Sequence, residues 1–190
     1  MNIILLGAPG SGKGTQGALL ASRVGIPKVA TGDLLRTAVR RESVLGTQAR
    51  SFMDAGLLVP DEIIMGLISE VLASPEARGG VIMDGFPRTV AQAVAVDSLL
   101  SARDSKIDKV LTFEVPENEL VDRLVKRSAQ EGRTDDTPAA IRRRLEVYRE
   151  QTEPLVAFYR ERGVLEELDG VGSVEAIAER TAKALGYDNH

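Results

Sequence analysis

No cysteine occurs among the 190 residues, which excludes disulfides and any cysteine-ligated zinc. No apolar stretch approaches the roughly twenty residues that a membrane span needs. The chain opens Met1-Asn2 and passes into a short apolar segment, Ile3 to Leu6, with no basic region ahead of it. A signal peptide is therefore not expected, and the default address is the cytoplasm. Charge of one sign is not in excess either. The net charge is −4 with 27% charged residues, so neither a nucleic acid nor a membrane is indicated as a partner. Internal repeats, low-complexity runs and linkers are missing too. Hydrophobic residues make up 43% of the chain, enough for the core of a single domain over residues 1–190.

Five short apolar runs read as buried strands: Asn2–Leu6, Pro27–Ala30, Val81–Asp84, Lys109–Val115 and Val164–Leu168. Three are near-continuous rather than alternating, as in a parallel sheet covered on both faces. Helical patterns lie between them. Thr15–Val24 follows a glycine turn, Asp61–Leu72 opens with an acidic turn after Pro60, and Glu117–Arg127 follows Pro116. The segment Pro138–Arg162 places Ile141, Leu145, Tyr148, Thr152, Leu155 and Tyr159 on one stripe. Ser173 is placed to cap a last helix that Gly186 ends. This alternation predicts an α/β fold: a five-stranded parallel sheet with helices on both faces and right-handed crossovers. Ligands should bind outside the carboxyl ends of the strands. Residues 30–59 contain no further strand pattern and read as a small helical insertion beside the sheet.

The first strand runs into Gly7-Ala8-Pro9-Gly10-Ser11-Gly12-Lys13-Gly14-Thr15. Glycines let the backbone turn tightly and aim several N–H groups at a phosphate. The following helix adds its positive end. Lys13 supplies a mobile cation able to follow a transferred phosphoryl group. The usual form of this loop has Ser or Thr directly after the lysine, as a magnesium ligand. Here Gly14 stands there, so no direct protein ligand is expected. Magnesium would be held by nucleotide phosphates and water, with carboxylates behind the water.

Asp84 ends an apolar strand, where it would face the loop and hold a magnesium-bound water. Gly85 and Arg88 follow it; the arginine offers a planar fork for phosphate. Thr31, taken alone, reads as a helix cap, and Arg36 one turn on as either a pocket or a surface residue. Arg123, Arg127, Arg133 and Arg144 flank a short glycine-containing loop, Ser128–Gly132, within a lid expected at 128–134, and Arg123 and Arg127 share a helix face. A phosphoryl-transfer transition state needs several placed cations and little else. Spacing alone leaves surface solvation open for Arg127, Arg133 and Arg144; Arg142 and Arg143 read as surface charge.

Taken in order, GAPGSGKGT with Gln16, ATGDLLR at 30–36, GLLVPDE at 56–62, MDGFPRT at 83–89, VDRLVKR at 121–127, GRTDD at 132–136 and RRRL at 142–145 resemble the adenylate kinase family. The resemblance spans most of the chain. It implies phosphoryl transfer from ATP to AMP with magnesium and no zinc, in a nucleotide-binding three-layer sandwich acting as a monomer. Gly10, Ser11, Gly12, Lys13, Gly14 and Thr15 would cradle the ATP phosphates. Arg127 would contact ATP, and Gly172 would meet the adenine through its backbone. Thr31, Arg36, Gly56, Leu57, Leu58, Val59, Gly85, Phe86, Pro87, Arg88 and Gln92 would form the AMP site. Arg123, Arg133 and Arg144 would clamp the phosphates, with Lys13 and Arg88 sharing the catalytic work. Asp33 and Asp84 would order magnesium-bound water. Only five residues separate Arg127 from Arg133, as in the short-lid form. The nearest alternative is a short-lid pyrimidine monophosphate kinase, for which Asn and Asp are expected in the segment where Thr89-Val90-Ala91-Gln92 stand. A non-catalytic nucleotide-binding module would need neither a second pocket nor so many arginines.

Overall fold

Ile3–Leu6 (β1) is buried along its whole length, and its side chains divide between two cores. Ile4 and Leu6 enter one, Ile3 and Leu5 the other. A strand apolar on both faces is stable only between two covering layers. The computed structural model describes residues 1–131 and 137–187. There β2 (Lys28–Ala30), β3 (Ile82–Asp84), β4 (Lys109–Glu114) and β5 (Leu165–Asp169) join β1 in a sheet of order β2-β3-β1-β4-β5. Every pairing is parallel. The chain crosses from β1 to β2 on one side and from β3 past β1 to β4 on the other, and this reversal opens a crevice at the carboxyl end of β1.

Helices α1 (Lys13–Val24) and α9 (Val174–Ala184) cover one face, where Leu20 and Ile177 meet Ile3, Leu5, Ile82, Leu111 and Phe113. The other face is covered by α4 (Asp61–Ala73), α5 (Val90–Ser101) and α8 (Pro154–Glu161), through Ile68, Val96, Leu155 and others. Two more helices, α2 (Thr31–Arg40) and α3 (Val44–Asp54), fill the expected insertion. They touch at Gly46, where a Cβ would lie 2.2 Å from the Ala38 carbonyl carbon and oxygen. The α3 helix ends in a Schellman turn. Gly56, at φ 71°, donates to the Met53 carbonyl and Leu57 to that of Phe52. That turn brings residues 56–59 to the crevice.

Helices α6 (Glu117–Glu131) and α7 (Pro138–Val147) form a third, smaller cluster of Leu120, Leu124, Ile141 and Leu145, with Ala8 of the glycine loop against it. The α6 helix runs four residues past Arg127, so residues 128–131 of the expected loop are helical; residues 132–134, Arg133 among them, lie outside the described residues. The single helix expected over Pro138–Arg162 is α7 and α8 joined through a π turn, Tyr148–Thr152. Pro154 has no N–H to give the carbonyl of residue 150, and the Glu153 N–H bonds back to Tyr148 at 2.8 Å instead. The stripe still holds, with Ile141, Leu145, Thr152, Leu155 and Tyr159 all buried. No helical pattern marks out α5 in the sequence, because its apolar residues are spread around it rather than striped. Its start is nonetheless defined by the Thr89 side chain, which accepts from the Gln92 N–H. No helix among the described residues is long and apolar enough to cross a membrane.

Candidate active site

The carboxyl ends of the central strands open into a cavity of about 740 Å³. One wall is the glycine loop. Gly7, Gly10 and Gly12 take φ of 134°, 88° and 93°, which side chains rarely adopt. A Cβ on Gly10 would come 2.8 Å from the Leu120 carbonyl, so α6 packs directly on the loop. Ser11 turns inward: its hydroxyl is buried and has no partner among the described residues, so only its backbone is left to serve a ligand. The Lys13 ammonium donates to the Gly7 and Ala8 carbonyls at 2.8 and 3.0 Å, holding the loop closed over itself. Burial lowers its pKa to about 8, against the opposing pull of Asp84; Arg88 and Arg127 lower it further.

Asp84 lies at the end of β3, as its place in the sequence requires, with its carboxylate 3.6 Å from where a Cβ on Gly14 would sit. The sequence reading did not single out its nearest cation, Lys28. The Lys28 ammonium is 3.6 Å from Asp84 Oδ2 and donates to the Gly14 carbonyl at 3.1 Å. Its stem lies over Gly17, where a Cβ would approach Lys28 Cδ to 2.9 Å and Leu5 Cδ1 to 2.7 Å. Only a glycine in α1 leaves that channel open. Asp33 is largely exposed, and Arg36 donates to it at 2.6 Å. Among the described residues no group of three or more His, Cys, Asp or Glu is placed to ligate a metal. A magnesium held through water would find one carboxylate here, that of Asp84, beside a loop whose Gly14 has no side chain to coordinate it.

The opposite wall carries the expected acceptor residues. Thr31 is the first residue of α2, not its cap, and its buried hydroxyl donates to the Gly85 carbonyl at 2.9 Å. Arg88 Nε donates to the same carbonyl at 2.8 Å. Burial, and then the neighbouring Arg144, push the Arg88 guanidinium below its ordinary value. Gln92 is buried and fixed at both ends: its Oε1 accepts from the Arg88 N–H at 2.7 Å, and its Nε2 donates to Asp61 Oδ1 at 2.6 Å. Asp61, which the sequence offers as a helix opening, is thus also the anchor of Gln92. Arg36, Gly56, Leu57, Leu58, Val59, Phe86 and Pro87 line the same cavity.

Between the walls stand Arg123, Arg127 and Arg144. Arg144, on α7, reaches the Met53 carbonyl at 3.3 Å. Arg123 pairs with Glu119 and donates at 3.0 Å to Gly170, in the turn after β5. It therefore stands at the β5–α9 end of the cavity. Gly172 follows in that exposed turn and does not line the cavity, whereas Val174 does. Gln16 ties the turn to the glycine loop by donating to the Val174 carbonyl at 3.0 Å.

A family model described as adenylate kinase matches residues 5–164. An adenylate kinase of Thermobifida fusca is 48% identical over 185 residues, covering 97% of this chain and 98% of the relative. One from Thermus thermophilus is 50% identical over 184 residues, 97% and 96% of the two chains. One from Moorella thermoacetica is 43% identical over an alignment of 215 positions that covers 99% of each; this chain lacks residues that that relative has.

Proposed function

Because this chain belongs to the adenylate kinase family, we propose that its cleft binds ATP and AMP end to end and moves one phosphoryl group between them, reversibly, giving two ADP. The observation that carries this reading is one cavity with a glycine loop at one end, a Thr31–Arg88–Gln92 wall at the other, and arginines between. The enzyme is a phosphotransferase. An AMP phosphate oxygen attacks the terminal phosphorus of ATP. The bond to the bridging oxygen breaks, and that oxygen leaves as ADP with the electron pair. The acceptor is already anionic, so no general base is required. Charge spread over the moving oxygens is met by Lys13, Arg88, Arg123, Arg133 and Arg144.

On this reading Gly10 to Thr15 cradle the ATP phosphates, Arg127 contacts ATP, and Gly172 meets the adenine through its backbone. Thr31, Arg36, Gly56 to Val59, Gly85 to Arg88 and Gln92 receive AMP. Asp84, with Asp33 further out, would hold magnesium through water. Bound magnesium supplies neutralising charge on the ATP phosphates. Lys28 keeps the Asp84 carboxylate compensated and turned toward the loop. The insertion at 30–59 and the lid at 128–134 close over the substrates and exclude water. The chain works as a cytoplasmic monomer on free nucleotides.

A coupled assay with Mg-ATP and each of AMP, GMP, CMP and UMP tests this. Fast ADP formation with AMP alone supports it. Strong turnover with CMP or UMP overturns the acceptor assignment but keeps the chemistry. Turnover with none overturns the activity.

A further inference from the structure

The turn between β5 and α9 is held from its far side by one residue of α9. Arg180 Nη1 donates to the Asp169 carbonyl at 2.6 Å and Nη2 to the Val171 carbonyl at 2.6 Å. The same guanidinium pairs with Asp169 Oδ2 at 2.8 Å, and its Nε donates to Ala176 in its own helix at 3.3 Å. Asp169 Oδ1 in turn accepts from the Val171 N–H at 2.9 Å. One planar fork thus fixes two alternate carbonyls, the first at the end of β5 and the second in the turn beyond it.

The carbonyls of this turn can be followed in order. Arg180 takes those of residues 169 and 171. Arg123 takes that of Gly170, and the Ile177 N–H takes that of Ser173. The Gly172 carbonyl accepts no hydrogen bond among the described residues. Gly172 has φ 121°, and a Cβ on it would lie 3.0 Å from Arg180 Nη2. The guanidinium and the glycine are therefore fitted to one another.

We propose that Arg180 is the positioning residue for the donor base. By occupying the carbonyls of residues 169 and 171, while Arg123 and the Ile177 N–H occupy those of 170 and 173, it leaves that of Gly172 as the acceptor for the exocyclic amine of adenine. Guanine presents a carbonyl oxygen at that position and would oppose one acceptor with another. Arg180 touches no substrate and acts only through the turn. This inference rests on the reading of Gly172 as the adenine contact.

The test is steady-state kinetics of wild type, Arg180→Ala and Arg180→Lys with ATP, GTP and purine riboside triphosphate, which is ATP without its amine. AMP is the acceptor throughout, and each protein is checked by thermal melting. Lysine keeps the charge but lacks the fork, so it separates geometry from charge and serves if the alanine variant folds poorly. In both variants the KM for ATP should rise about tenfold, the ATP-over-GTP ratio of kcat/KM should fall about tenfold, and kcat at saturation and the KM for AMP should hold. A folded variant that keeps the wild-type ATP-over-GTP ratio overturns the role of Arg180. Equal use of ATP and purine riboside triphosphate by wild type overturns the Gly172 reading beneath it.

Discussion

Lys13 carries two opposed demands. It must be charged to meet phosphate, yet burial disfavours its charge and lowers its pKa to about 8. The free protein therefore loses the ammonium as pH rises through about 8, and kcat/KM for ATP should fall along that limb. Bound phosphates favour the charged form, so the limb in kcat should lie at higher pH; coincident limbs would count against Lys13 as the titrating group. Lys13→Ala should lower kcat by roughly 10² or more and leave the melting temperature unchanged or raised, since a desolvated charge is removed. Gln92→Ala should raise the KM for AMP with little change for ATP, since its amide lies between Asp61 and the Arg88 backbone at the acceptor wall. Equal loss for both nucleotides would remove it from that wall. The motif residues were legible because each is fixed by local backbone, as with Gly12 and Lys13, or by a strand end, as with Asp84. Lys28 and Asp61 were not. Their roles depend on which strands and helices become neighbours, and nothing within a few residues of either records that.

At the scale of elements, the strands were legible to within a residue or two at their ends, three of them because short, near-continuous apolar runs set between turns and helical patterns fit a doubly covered sheet. Helix α5 was hidden by its evenly spread apolar residues, and the break between α7 and α8 by a stripe that continues through it. The α2–α3 pair depends on a single close approach. Gly46→Ala should separate the two helices, since its Cβ would overlap the Ala38 backbone. The expected result is a loss of about 1–3 kcal/mol on thermal melting. The KM for AMP should rise several-fold, with the KM for ATP held. A variant with wild-type melting and kinetics would show that the pair does not set the acceptor site.

For the whole molecule, the sheet and its two covering cores form a frame, which the α2–α3 pair joins at its edge through Leu35 and Ala49, while the α6–α7 cluster is separate. Ligands that bridge these parts should stabilise all of them by mass action. A nucleotide at a hundred times its Kd should add about 2.7 kcal/mol, seen as a raised melting temperature. Lys13→Ala should lose most of that gain for ATP and keep it for AMP; an unchanged gain with ATP would show that the loop contributes little to binding. The run from Pro138 to Glu161 joins two of these parts. Its α7 half belongs to the small cluster and its α8 half to the large core, so it behaves as a shaft of roughly 35 Å set in two bearings. The wide turn between them is where such a shaft bends most readily, and its Tyr148 and Thr152, with Val147 just before it, form part of the cavity wall. A ligand that filled the cleft would therefore press on the one segment that joins the two halves, and α7, which carries Arg144, is the half it would turn.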